Sequence, residues 1–241
     1  MFPLRDNIPT DRFPVVTVAL ILANVVIYFL LQDGRLGLPQ GGTGGDWPTP
    51  TYGAIPCEIT GADPCRVAPG GPSWVATLFS SMFMHGSIVH LGGNMLFLWI
   101  FGNNVEDRMG RVRFVVFYVL AGLAALAAQT LFSTGSEVPT IGASGAVAGV
   151  LGGYLLLYPR AKVLTFVFII FFFTFIELPA ILFLGIWFIQ QAIFASLDLM
   201  QPTSGGGGVA YFAHVGGFVL GLLLVRAFAR RPRPAQRLGR A

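Results

Sequence analysis

Polar side chains withdraw from six stretches of this 241-residue chain. The apolar runs cover residues 13–31, 86–103, 113–132, 143–158, 163–197 and 209–229. A helix of ~20 apolar residues crosses a hydrocarbon core of ~30 Å, so the pattern predicts a series of transmembrane helices. The fifth run is too long for one crossing, because 163–197 as a single helix would measure ~52 Å. Glu177-Leu178-Pro179 supplies the break, since proline disfavours helix at the residue before it. The fifth span then covers 178–197, and segment 163–176, with Phe171-Phe172-Phe173, packs against the bundle or lies at the interface. The first run reads as a signal-anchor that stays, because no small-residue cleavage site follows it convincingly. The expected fold is all-α, a polytopic membrane protein with a six-transmembrane-helix bundle. Its parts are a short N-terminal segment (1–12), a membrane domain (13–229) with an extracytoplasmic loop at 32–76, and a basic tail (230–241).

Composition agrees with this reading. Charged residues make up 11% of the chain, against ~25% in soluble domains, and the mean hydropathy is +0.72. With the N-terminus in the cytoplasm, six spans leave only Arg35 and Arg66 outside among fifteen Lys and Arg residues. The positive-inside rule then puts both termini in the cytoplasm. Anionic lipid accounts for the basic tail. Nucleic acid is not an expected partner, because neither aromatic interleaving nor a soluble fold accompanies the charge.

Candidate chemistry sits at the starts of the even-numbered spans. The three histidines of the chain, His85, His90 and His214, lie within or beside apolar runs, where ionisable residues are functional candidates by default. In the six-span topology His90 and Asn94 fall early in span two, Ser144 opens span four and His214 is early in span six. All lie at one depth, in the outer part of the bilayer. His90 and Asn94 are four apart, about 40° around a helix, and share a face. Ser144 follows Gly142-Ala143 at a helix start, where unpaired N–H groups and the positive dipole end favour a developing anion. Gly145, Gly149 and Gly153 repeat every fourth residue, as do Gly217 and Gly221 after His214. Small-xxx-small faces let membrane helices approach closely, which brings His214 toward Ser144. Taken singly, the serine is an ordinary N-cap and the glycines ordinary packing; the combination points to a hydrolase.

The set His85-x4-His90-x3-Asn94, Gly142-Ala143-Ser144-Gly145 and Ala213-His214-x2-Gly217-x3-Gly221 resembles the rhomboid family of intramembrane serine proteases, in its basic six-span bacterial form. The likeness runs from Phe13 to about Ala229 and takes in Glu106-Asp107-Arg108. It implies that Ser144 is the nucleophile and His214 the general base, in a Ser–His dyad. It further implies an oxyanion hole from His90, Asn94 and the Ser144 backbone N–H. Gly142 would shape that hole, Gly145, Gly217 and Gly221 would support it by packing, and His85 would support a water-filled cavity. Transmembrane protein substrates, surrounding membrane lipid, no cofactor and no metal follow from the same resemblance, as does a lateral gate formed by span five. A bacterial cytoplasmic membrane fits the short form.

Two positions depart from the family pattern. An aromatic residue often stands four after the nucleophile; here it is Ala148, which leaves open what orients His214. A Trp-Arg pair often marks the first loop; here Ala76 and Thr77 stand in that place. The alternative reading is a rhomboid-like pseudoenzyme that binds membrane-protein clients without cutting them, although loss of Ser144 or His214 would be its mark. Cys57 and Cys65, in the outer loop, fit a disulfide or two free thiols. They and the histidines lack metal-ligand spacing, and no H-E-x-x-H is present. Trp74, Trp99 and Trp187 read as belt or packing aromatics, and Asp198 and Glu177 as interfacial.

Overall fold

The computed structural model of the chain describes residues 2–32, 49–66, 71–169, 171–200 and 209–230. Most of the basic tail and much of the loop at 32–76 lie outside the described residues. Helix α1 (Val15–Val26) continues as a π-helical stretch, Ile27–Gln32. Short helices α2 (Thr49–Tyr52), α3 (Pro56–Thr60) and α4 (Trp74–Ser80) form the described part of the first loop. Helix α5 (Ile88–Phe97) runs through a π-helical segment, Leu98–Gly102, into α6 (Asn103–Met109). Helices α7 (Arg111–Phe132), α8 (Ser144–Leu157), α9 (Ala180–Met200) and α10 (Tyr211–Phe228) complete the bundle. Each predicted apolar run from 13–31 onward thus contains a helix, and α9 begins directly after Pro179, as the break at Glu177-Leu178-Pro179 requires.

Helix length does not by itself establish the six crossings expected. Among the described residues, α7, α9 and α10 are long and apolar enough to cross a membrane unaided. Helix α8 has 14 residues, about 21 Å at 1.5 Å per residue, and is shorter than the hydrocarbon core. The apolar run at 143–158 is longer in sequence than in regular helix, because Tyr158-Pro159 turns the chain out of it.

The all-α expectation fails at segment 163–176. Strands β1 (Phe2–Asp6), β2 (Lys162–Ile169) and β3 (Phe172–Pro179) form an antiparallel sheet in the order β1-β2-β3. Phe2 pairs with Phe166, and Phe166 in turn with Phe175. The stretch is dense in Val, Thr, Ile and Phe, which suit a pleated surface. Because it is apolar nearly throughout, it shows neither alternation nor a helical period, and periodicity alone does not separate the two. Val163 and Thr165 face inward and are fully buried, whereas Phe168, Phe173 and Phe175 are exposed. Lys162 and Glu177 make an exposed ion pair of 3.2 Å.

Helix α8 is the centre of the bundle. Its residues from Gly145 to Tyr154 are all buried, enclosed chiefly by α7 and α10. The contact with α10 is backbone on backbone: a Cβ at Gly217 would overlap the carbonyl of Gly145, and one at Gly221 the carbonyl of Gly149. A Cβ at Gly152 would overlap the carbonyl of Phe218, while Gly153 faces Phe117 and Val225 instead. Helix α7 lines the same seam with small residues, Ala121 against Gly149 and Ala125 against Gly145. This is the small-residue packing that replaces a hydrophobic driving force inside lipid.

The N-terminus of α1 has no local side-chain cap. Glu106, ninety residues away, takes that place. Its Oε1 accepts from the Val16 N–H at 3.0 Å, and its Oε2 accepts from the Thr17 N–H and hydroxyl, both at 2.8 Å. The carboxylate is 3% exposed, so these bonds and the positive end of the helix dipole offset its burial. Glu106→Ala is expected to destabilise the fold by about 3 kcal/mol, because it strands buried donors, with Glu106→Gln intermediate; unfolding in detergent measures both. Gly221→Val, which forces α8 and α10 apart, is expected to cost about as much or more than a typical overpacked core substitution, roughly 1–3 kcal/mol, in the same assay.

Candidate active site

Ser144 owes its position to the loop before it. The Thr140 N–H donates to the Ala54 carbonyl at 2.8 Å, and the Ala54 N–H donates back at 3.1 Å. The Gly142 N–H donates to the Ser81 carbonyl at 2.8 Å. A disulfide joins Cys57 and Cys65 within the first loop, and the Cys57 N–H donates to the Ser136 carbonyl at 3.1 Å. The loop carrying Ser144 is therefore strapped to the described part of the first loop. Gly142 has φ of +118°, a conformation suited to glycine. A Cβ there would come within 2.8 Å of the His90 ring and 3.6 Å of the Ser144 Oγ. Helix α8 starts at Ser144 itself, so the N–H groups of its first turn lack intrahelical partners.

His214 lies in the first turn of α10. That turn is anchored by Gln129 on α7, whose Oε1 accepts from the Ala213 N–H at 3.2 Å. The His214 Nε2 lies 2.8 Å from the Ser144 Oγ, a hydrogen-bond distance for a serine hydroxyl and an imidazole. On the other side of the ring, Nδ1 lies 2.8 Å from the Gln191 Oε1. The Trp187 ring stands 5.9 Å from the His214 ring at 32°, and Tyr211 meets it edge-on at 6.4 Å. Ser144 and His214 are each half-buried.

The residues of α5 occupy the facing side. His90 is half-buried and next to Gly142. Asn94, one turn after His90 on the same helix, is 8% exposed, and its Nδ2 is a buried donor with no hydrogen-bond partner. His85 is fully buried and precedes the helix. Its backbone is held at both ends by Gln32: the His85 N–H donates to Oε1 at 3.0 Å and the carbonyl accepts from Nε2 at 2.5 Å. Its ring contacts His90 edge-to-face with centroids 5.1 Å apart. A cavity of about 20 Å³ lies beside Ser144, lined in part by Ser81, Gly122, Thr140 and Ala213. That is room for one water molecule. Among the described residues no three of His, Cys, Asp and Glu gather as a metal site.

The structure thus draws Ser144, His214, Gly142 and His90 into one place, with Asn94 on the same helix as His90. Gly145, Gly217 and Gly221 form the seam below. Two residues of the site were not singled out in the sequence: Gln191 touches the imidazole directly, and Gln32 fixes His85. Trp187, expected as a belt or packing aromatic, packs beside the His214 and Phe218 rings. Gln190 and Gln191 interrupt the apolar run 178–197, and an amide inside such a run is a signal of the kind that singled out the histidines. Gln32 gave no such signal, since it closes its run.

The chain is similar to known proteins over much of its length. A family model described as the Rhomboid domain matches residues 72–231. Rhomboid protein 1, mitochondrial, of Saccharomyces cerevisiae is 32% identical over 153 residues, which is 61% of this chain and 40% of that protein. RHOMBOID-like protein 4 of Arabidopsis thaliana is 31% identical over 170 residues, 68% of this chain and 36% of the relative. Rhomboid protease GluP of Bacillus subtilis is 30% identical over 142 residues, 59% of this chain and 24% of the relative. The chain spans less than half the length of each of these relatives. They come from a mitochondrial, a plant and a bacterial protein, so a bacterial cytoplasmic membrane is not singled out. The matched region holds Ser144, His214 and helices α4 to α10, and with more than half of the chain inside it, this integral membrane protein belongs to the rhomboid family.

Proposed function

We propose that the protein is an intramembrane serine endopeptidase that hydrolyses peptide bonds in or near transmembrane segments of other membrane proteins. The observation that carries this reading is the 2.8 Å separation of His214 Nε2 and Ser144 Oγ. As the substrate carbonyl meets Ser144, His214 takes the hydroxyl proton and Oγ bonds to the carbonyl carbon. The oxyanion that forms is met by the Ser144 N–H at the start of α8, with His90 and Asn94 as further donors. Collapse breaks the C–N bond, and His214 returns its proton to the leaving amine. Water, activated by the same imidazole, then attacks the acyl-enzyme and releases Ser144.

Several features support this chemistry. Asn94 keeps a buried donor unused, as a group reserved for a transient anion would. Helix α8 is short for a bilayer, which suits a nucleophile held below the membrane surface. The cavity beside Ser144 has room for a water. A membrane helix hides its scissile carbonyl in its own hydrogen bonds, so cleavage is proposed where substrate helices unwind readily. The charge asymmetry of the loops favours both termini in the cytoplasm, with residues 13–229 as the membrane domain and the tail against anionic lipid.

Purified protein reconstituted with a single-span model substrate tests the proposal. Ser144→Ala and His214→Ala are each expected to lower cleavage on the order of 10³-fold or more, with folding unchanged. Cleavage that survives Ser144→Ala, or a wild type that binds substrate without cutting it, would sink the protease reading; the second outcome supports the client-binding alternative. Asn94→Ala is expected to reduce kcat about a hundredfold, the range for loss of one oxyanion donor, with KM little changed. Gly142→Ala is expected to slow labelling of Ser144 by a fluorophosphonate, since a methyl there meets the His90 ring.

A further inference from the structure

We infer that Gln191 is a positioning residue, whose amide oxygen holds the His214 imidazole in the tautomer that a general base requires. The rate consequences of this inference rest on the protease reading above; the tautomer does not.

Gln191 is placed at a cost that calls for a reason. Helix α9 turns Ile186, Ile189 and Ile193 outward, all more than half exposed, and only 28% of its apolar stretch is buried. On this sparsely packed helix Gln191 points inward and is 7% exposed. A buried amide in an apolar setting is costly without a partner. Its Oε1 finds one at 2.8 Å, the His214 Nδ1.

A neutral imidazole carries one N–H and one lone pair. The lone pair must lie on Nε2 if that nitrogen is to take the Ser144 proton, so the hydrogen must be on Nδ1. A hydrogen there needs an acceptor, and among the described residues the ring makes hydrogen bonds only with Ser144 and Gln191. Imidazole left to itself favours the opposite tautomer, with hydrogen on Nε2, which donates toward Ser144 and cannot accept from it. Gln191 therefore selects between a base-competent and a base-incompetent ring. An amide does so without bringing a second charge into a low-dielectric site, which would carry its own desolvation cost. Trp187, one turn earlier on the same face, flanks the ring at 5.9 Å, so one helix supplies both contacts. Ala148, fully buried on α8, offers no ring of its own.

The test uses the full-length protein in bilayers or micelles. Because the chain has three histidines, ¹⁵N-histidine labelling gives three rings, and His214→Ala identifies the signal of interest. The wild type is expected to show His214 with hydrogen on Nδ1, and Gln191→Leu to shift it toward the Nε2–H form. In cleavage assays Gln191→Leu is expected to lose about 10- to 100-fold in kcat with KM within twofold, a part of what general base catalysis contributes. Gln191→Glu, which keeps an acceptor oxygen in place but brings the desolvation cost of a carboxyl, is expected to retain the Nδ1–H ring and to lose less in kcat than Gln191→Leu. Wild-type kcat in Gln191→Leu overturns the inference, as does equal loss in the Leu and Glu variants, which would mean that shape and not the acceptor matters. If Gln191→Leu does not fold, the wild-type spectrum decides, and an Nε2–H ring there overturns the inference. A wild type that cuts nothing defeats the protease reading alone, and the spectra still judge Gln191.

Discussion

The contact between α8 and α10 is the constraint on which the site depends. Gly217 lies against the Gly145 carbonyl and Gly221 against the Gly149 carbonyl, with no room for a single methyl at either. Lipid gives apolar side chains no reason to cluster, so close backbone approach and van der Waals contact must hold these helices together. Ser144 stands one residue before Gly145, and His214 three before Gly217. The 2.8 Å bond between them therefore inherits its length from the helix spacing. Hydrogen bonds weaken steeply with distance and misalignment, so a seam opened by one ångström would separate the pair. Helix α7 closes the third side: Ala125 abuts Gly145, and Ala128 abuts Gly216.

Around this seam the fold is tied by isolated polar contacts. Helix α1 is fixed at both ends, by Glu106 on its first N–H groups and through Gln32, which grips the His85 backbone. It acts as a strut between the α6 end of the bundle and the histidines. Strand β1 is joined to the bundle by Asp6, whose Oδ2 accepts from the Tyr154 hydroxyl at 2.5 Å and from the Asn104 Nδ2 at 2.6 Å. Burial pushes the Asp6 carboxyl above its ordinary range, and the Tyr154 bond pulls in the opposite direction. Where water is scarce, such contacts are exchanged for nothing of equal quality, and each fixes an orientation that apolar packing leaves free.

Much of this was legible in the chain because membranes enforce strong patterns. A run of apolar residues has few alternatives to a helix, and a serine or histidine at its start is conspicuous. The Gly145–Gly149 and Gly217–Gly221 spacings disclosed the seam because the helical period is fixed. Segment 163–176 was not legible for the converse reason: a sheet with apolar residues on both faces has no alternation to read. The six-span count rested on run length, which helix length does not confirm by itself, since at α8 the apolar run outlasts its helix. Gln32 was hidden because its partner, the His85 backbone, lies 53 residues away. Gln191 was visible as an interruption, but its meaning depended on α9 lying beside α10, which no spacing within either helix encodes.

The site is divided between two kinds of support. Ser144 and His214 stand on α8 and α10, which share a backbone seam and tolerate no displacement. Asn94, His90, Trp187 and Gln191 stand on α5 and α9, whose outer faces carry exposed Ile88, Val89, Ile186 and Ile189. A substitution in the seam alters helix spacing, so it must disturb stability and the Ser–His contact together. On α5 or α9 the polar side chain reaches inward from a helix held mostly by its apolar neighbours. Under the proposed mechanism, removing that side chain leaves the helix where it is and withdraws one donor or acceptor from the ring or the carbonyl. Stability and chemistry are thus coupled in the inner helices and separable in the outer ones, and this is why the outer helices are the place to look for tuning of rate without loss of fold.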